Sequence, residues 1–285
     1  MTLAQIFSDP FLTKIVIKAL IVGVLVSLSA SMLGASLVLK RYSMIGDGLS
    51  HVGFFSLAVA TVLDLAEYSM EISIPIVIVC AFLILRLRES SHIKGDSAIA
   101  LLSTGAVAVG SLIYNFSGTR STDICNSLFG SSSIITLSDK ELVLSIVLSV
   151  SVMLLFTLFY NKIFAVTFDE NFSSATGIRT DLYKSLIAIL TAVTIVIGMQ
   201  MMGSIMISAL VIFPALTAMR VCRSFKSVVL CSIVLAVVCF LIGFFAACRF
   251  SFQTGATVVT VHIIAFVLFS AAAALTTHRL IKKHS

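Results

Sequence analysis

Asp47 and His51 stand four residues apart in the run Lys40-Arg41-Tyr42-Ser43-Met44-Ile45-Gly46-Asp47-Gly48-Leu49-Ser50-His51, just inside an apolar stretch. On a helix this spacing puts both side chains on one face, with Cβ atoms ~6 Å apart. A carboxylate oxygen beside an imidazole nitrogen suits Zn²⁺, Mn²⁺ or Fe²⁺. Ionisable groups inside membrane helices are costly, and they usually mark an ion or proton pathway. Two ligands do not complete a site. A twofold dimer could bring two copies of the pair together, or water could fill the remaining positions. A transported ion favours such partial ligation, because a saturated cage would not release it. The competing reading has Asp47 capping backbone N–H groups and His51 satisfying a nearby carbonyl.

Other candidates are weaker. His262, mid-segment in TVVTVHIIAF, is a third ligand, a proton relay or a hydrogen-bonded core histidine, and a lone histidine fits the last best. Asp123 and Cys125 lie in a semi-polar stretch where they could meet an incoming ion. Met199, Met201 and Met202 around Gln200 would suit Cu(I) if clustered, but methionine in apolar helices is ordinary packing.

The elements that must hold these residues follow from composition. Of 285 residues, 59% are hydrophobic and 11% charged, and the mean hydropathy is +1.14. Soluble domains average roughly 45–50% apolar and 25% charged, so this chain cannot cover a water-facing surface. Nine apolar segments, at 11–39, 44–63, 72–87, 97–116, 141–166, 182–200, 203–219, 227–248 and 255–277, account for most of it. About 20 apolar residues cross a hydrocarbon core ~30 Å thick. In lipid, each backbone polar group must be paired within a helix or a closed barrel. Continuous runs without period-two alternation exclude the barrel. The expectation is an all-α, polytopic membrane protein of about nine transmembrane helices (range eight to ten), a single transmembrane domain over residues 1–285. The junction 198–203, GMQMMG, is either a tight extracellular turn or a break in one kinked helix. The opening MTLAQIFSDPFLTK lacks a basic n-region, so the first apolar segment reads as a retained helix.

Basic residues orient the chain. With the N-terminus outside, the inner loops collect Lys40, Arg41, Arg86, Arg88, Lys94, Lys162, Arg179, Lys184, Arg220, Arg223, Lys226, Arg279, Lys282 and Lys283, fourteen of nineteen. That is the positive-inside pattern, and it predicts a cytoplasmic C-terminus. The net charge of +6 is thereby explained without nucleic acid, since no basic run of five or aromatic interleaving occurs. Two connections exceed a turn: 117–140 outside, an ordinary loop or a pair of re-entrant segments, and 167–184 inside, the most polar stretch. Along the first helix, Ala19, Gly23, Ser27, Ser31 and Ala35 form a stripe of small residues. It predicts close helix packing within one subunit, with a dimer seam as the alternative. Six cysteines without a C-x-x-C pair indicate neither a disulfide framework nor a zinc finger.

Four segments carry a family resemblance: LKRYSMIGDGLSHVGFFSLAVA, STDICNSLFG, FDENFSSATGI and MISALVIFPALTAMR. They resemble the permease subunit of metal-ion ABC importers of the zinc/manganese type, closest to zinc-uptake permeases. The likeness runs from about residue 15 to 275, and its most specific elements are GD-x-x-SH at 46–51 and FDE-x₆-G at 168–177. It implies a type II-like ABC importer permease working as a homodimer in the plasma membrane. It also implies a cytoplasmic ABC ATPase dimer and an extracellular metal-binding lipoprotein. By motif, the metal pathway maps onto Asp47 and His51. The ATPase-coupling segment maps onto Phe168, Asp169, Glu170 and Gly177 within 167–184. The cargo implied is zinc first and manganese next, with ATP used by the partner. No G-x-x-x-x-G-K-[ST] occurs, nor any Gly-Lys dipeptide, so the chain has no P-loop of its own. The alternative is a secondary metal or proton transporter, or a channel, using the same pair. An intramembrane enzyme has no support, since H-E-x-x-H and a nucleophile elbow are both missing.

Overall fold

The computed structural model describes residues 10–40, 42, 44–65, 68–89, 95–116 and 139–284. Asp123 and Cys125, with the proposed re-entrant stretch and the STDICNSLFG motif, lie outside the described residues. Those described are helical throughout: α1 (Pro10–Leu39), α2 (Ile45–Val62), α3 (Ser69–Glu89), α4 (Gly95–Phe116), α5 (Asp139–Leu158), α6 (Tyr160–Phe168), α7 (Glu170–Ala175), α8 (Thr180–Met202), α9 (Ser204–Val221), α10 (Phe225–Phe250) and α11 (Thr254–His284). Among the described residues nine helices are long and apolar enough to span a membrane. The chain is a multi-pass membrane protein, and these nine helices overlap the nine apolar segments.

The bundle is built around α8, which packs against α1, α2, α3 and α9 and is buried along most of its length. The outer helix α11 lies against α9 and α10. The small-residue stripe of α1 explains how neighbours reach the centre. Ala19, Gly23, Ser27, Ser31 and Ala35 are all buried within the protomer. The Phe240 ring fills the space a Gly23 side chain would need. The Ser27 hydroxyl is satisfied on its own helix, donating to the Gly23 carbonyl at 2.7 Å. The stripe is therefore an intrasubunit packing face.

One boundary differs from the sequence reading. The apolar segment 141–166 is not one helix: it breaks at Phe159 (φ −96°, ψ 10°) between α5 and α6. The break lets α6 fold its aromatic side chains around Phe225 at the start of α10. Ring centroids lie 5.4 Å from Phe225 for Tyr160, 5.2 Å for Phe164 and 6.0 Å for Phe168. The polar Asn161 and Lys162 stand just past the break, but the apolar run resumes at Ile163 and a hydropathy reading bridges the two helices.

The 198–203 junction is a tight turn, not a kink. Gly203 alone separates α8 from α9, at φ 88°, ψ 155°, a region only glycine occupies freely. The two helices fold back on each other: a Cβ on Gly198 would lie 2.3 Å from Ile207 Cδ1 across the turn. Residues from Met199 to Ser204 are all buried. Substituting Gly203→Ala forces an L-residue into that backbone region at a cost of about 1–3 kcal/mol. The purified variant should melt at a measurably lower temperature than wild type, and an unchanged Tm would refute the strained turn.

Candidate metal site and coupling helix

Hydroxyls anchor α2 to its neighbours. Ser50 donates to the Asp47 carbonyl at 2.8 Å and sits 3.1 Å from the Ser208 hydroxyl of α9. One and a half turns on, Ser56 donates to Ser73 of α3 at 2.8 Å, and Gln200 of α8 donates to Ser73 at 3.4 Å. Such bonds are favoured where no water competes, because the alternative is an unsatisfied polar group in an apolar surround. The glycines pattern the same helix, with Ile99 of α4 resting on Gly48 and Met199 of α8 on Gly53. Four neighbours thus fix the rotation of α2.

That rotation leaves Asp47 and His51 on a partly open face, with side chains 44% and 22% exposed. His51 Nε2 is 3.6 Å from Asp47 Oδ1. That is too long for a hydrogen bond and close to the separation of two donors on one ion: bonds of about 2.1 Å at a tetrahedral angle give about 3.4 Å. His51 Nδ1 is buried without a hydrogen-bond partner, so no local bond draws the ring away from Asp47. The capping alternative does not describe how α2 starts. Met44 is its N-cap residue and makes no side-chain bond.

His262 is not part of this pair. It is buried in α11, with Nδ1 2.9 Å from the Val258 carbonyl and Nε2 buried without a partner. Among the described residues no three His, Cys, Asp or Glu side chains converge.

The segment 167–184 carries a second constellation. Asp169 is the N-cap of α7, in extended conformation, and its carboxylate accepts from the Phe172 N–H at 2.9 Å. Gly177 ends the segment at φ 82°, a left-handed turn that frees α8 to start at Thr180. Phe168 and Phe172 are 59% and 66% exposed, an unusual load of bare apolar surface on a polar segment. A cleft of about 250 Å³ beside them is lined by Lys162, Gly177, Arg179 and Tyr183. Glu170 points the other way, into the bundle, where Lys184 of α8 lies 2.7 Å and Lys40 beyond α1 lies 3.8 Å from its carboxylate.

Residues 12–273 match the ABC 3 transport family. The chain belongs to that family. As an ABC 3 permease it is the membrane subunit of its transporter, and ATP hydrolysis resides in a separate subunit. It is 27% identical to the "Manganese import system permease protein ScaB" of Streptococcus gordonii over 258 residues, 90% of each chain. It is 32% identical to the "Probable metal transport system membrane protein" of Thermotoga maritima over 252 residues, covering 88% of this chain and 86% of that one. Among solved structures it is similar to PsaBC from Streptococcus pneumoniae in complex with Fab, with TM-score 0.80, 26% identity and 93% of each chain covered.

What sequence reasoning missed in this ABC 3 permease are the partners. Lys40 and Lys184 entered only as topogenic charges, Gln200 only as the neighbour of three methionines, and Ser73 and Ser208 without a role. Their spacing along the chain carries no signal, because each acts across helices far apart in sequence. The cap is testable on its own. Asp169→Ala removes a bond worth ~1 kcal/mol. Amide exchange at Phe172, followed by mass spectrometry, should speed up by about fivefold, with Asp169→Asn close to wild type.

Proposed function

We propose that this chain is the permease of an ATP-driven importer for a divalent metal ion in the plasma membrane, with Asp47 and His51 as its transient ligands. The observation that carries the reading is the 3.6 Å gap between Asp47 Oδ1 and His51 Nε2, a donor spacing that fits an ion between them. The cation supplies the charge that makes a membrane carboxylate tolerable, and the incomplete ligand set lets it leave. A second copy of the chain, bringing the same pair across a twofold axis, supplies the remaining ligands together with water. Both Zn²⁺ and Mn²⁺ accept an N/O pair. The sequence resemblance puts zinc first, whereas the manganese import permeases among the relatives put manganese first, and we take manganese as the leading cargo.

In this reading the N-terminus is extracellular and the end bearing Lys40, Glu170 and Lys184 is cytoplasmic. The segment 167–184 docks the ATPase dimer. Its exposed Phe168 and Phe172 are the surface the partner covers, and Asp169 and Gly177 set the shape of the short helix between them. A metal-binding lipoprotein delivers the ion from outside. The secondary-transporter alternative gives that segment no task, and family membership does not favour it.

Two experiments test the two halves. In proteoliposomes holding the permease with its ATPase and binding protein, Asp47→Ala or His51→Ala should cut Mn²⁺ and Zn²⁺ uptake at least ~10-fold while the dimer still elutes intact. Wild-type uptake in both variants would remove the site. Phe172→Asp should lose the ATPase on co-purification, and full retention would remove the docking role.

A further inference from the structure

We propose that Lys40 is a positioning residue for transport, the ionic joint through which α7 moves the α1–α2 corner that carries Asp47. The inference rests on the reading of α7 as the ATPase dock and goes beyond it, by naming where the motion enters the membrane helices.

Three observations point to it. First, α7 packs chiefly on α6 and α8, its neighbours in the chain, and a side chain extends its reach toward the end of α1. Glu170 provides that reach. One carboxylate oxygen is held at 2.7 Å by Lys184 of α8, and the other faces Lys40 at 3.8 Å. The tight bond fixes the carboxylate on α8. The longer one is the contact that a small shift of α7 would close or open, and attraction between charges changes steeply at such range.

Second, the Lys40 side chain is only 8% exposed. A nearly buried ammonium must have a compensating charge, so it follows the carboxylate rather than turning to solvent. Its position over the Tyr42 ring, 6.0 Å from the centroid, further confines it.

Third, backbone hydrogen bonds tie described residues of this corner to both helices. Lys40 N–H donates to the Ser36 carbonyl, Tyr42 N–H to that of Leu37 and Ile45 N–H to that of Tyr42. A hydrogen-bonded path thus runs from the end of α1 into the first turn of α2, where Asp47 lies seven residues after Lys40. In this proposal a shift of Lys40 is carried along that path toward the turn that bears Asp47.

The test uses the complete transporter in proteoliposomes, reading Mn²⁺ carried per ATP hydrolysed and ATPase co-purification for each variant. Lys40→Gln should keep the ATPase bound and hydrolysing while Mn²⁺ per ATP falls by about fivefold or more. Lys40→Arg, which retains the charge, should recover most of the loss. In a Glu170→Gln background, Lys40→Gln should add nothing further, because the joint is already cut. Wild-type Mn²⁺ per ATP in Lys40→Gln would overturn the proposal, as would losses that multiply in the double variant. Departure of the ATPase from Lys40→Gln would also overturn it, by making Lys40 a support of the docking surface. Failure of the dock itself is read separately, from Phe172→Asp.

Discussion

A bilayer offers a polypeptide no hydrogen-bonding partner, and this constraint governs the molecule. It makes helix obligatory for each span, because every N–H and C=O must find its mate along the same segment. It also prices each polar side chain individually. Several that remain inside are paired: Ser27 on its own backbone, Ser50 with Ser208, Ser56 and Gln200 with Ser73. Asp47 and His51 stand out because they face each other at 3.6 Å without closing a hydrogen bond.

The helix α2 divides its labour by face. One side is hydroxyls and glycines, with which α3, α4, α8 and α9 lock its rotation. The other presents a carboxylate and an imidazole. Neither side would work alone. A freely turning α2 would scatter its two ligands, and a fully packed one would bury them beyond the reach of an ion. The acidic helix α7 shows a similar division, with phenylalanines bare on one side and Glu170 gripped by lysines on the other.

Much of this was legible in the chain before any coordinates. Nine spans, their approximate limits, the Asp47/His51 pair and the special character of 167–184 follow from hydropathy, helical spacing and motif. Lipid makes such readings easy, since a span is long, continuous and unmixed. The break at Phe159 was hidden because the apolar run resumes directly after Asn161 and Lys162. The partners of Glu170 and the hydroxyl links were invisible because they are made between helices, and one sequence holds no record of which surfaces meet. Gly203 could be noted in advance as a possible turn, but choosing between turn and kink required the approach of Ile207 to Gly198.

The corner between α8 and α9 has a further consequence. Because everything from Met199 to Ser204 is buried, this corner exposes no chain to an antibody, a protease or an inserted tag. Whatever recognises the transporter at that end must therefore read other connections. Epitopes engineered into the α8–α9 link would probe the integrity of the interior instead of the geography of the surface.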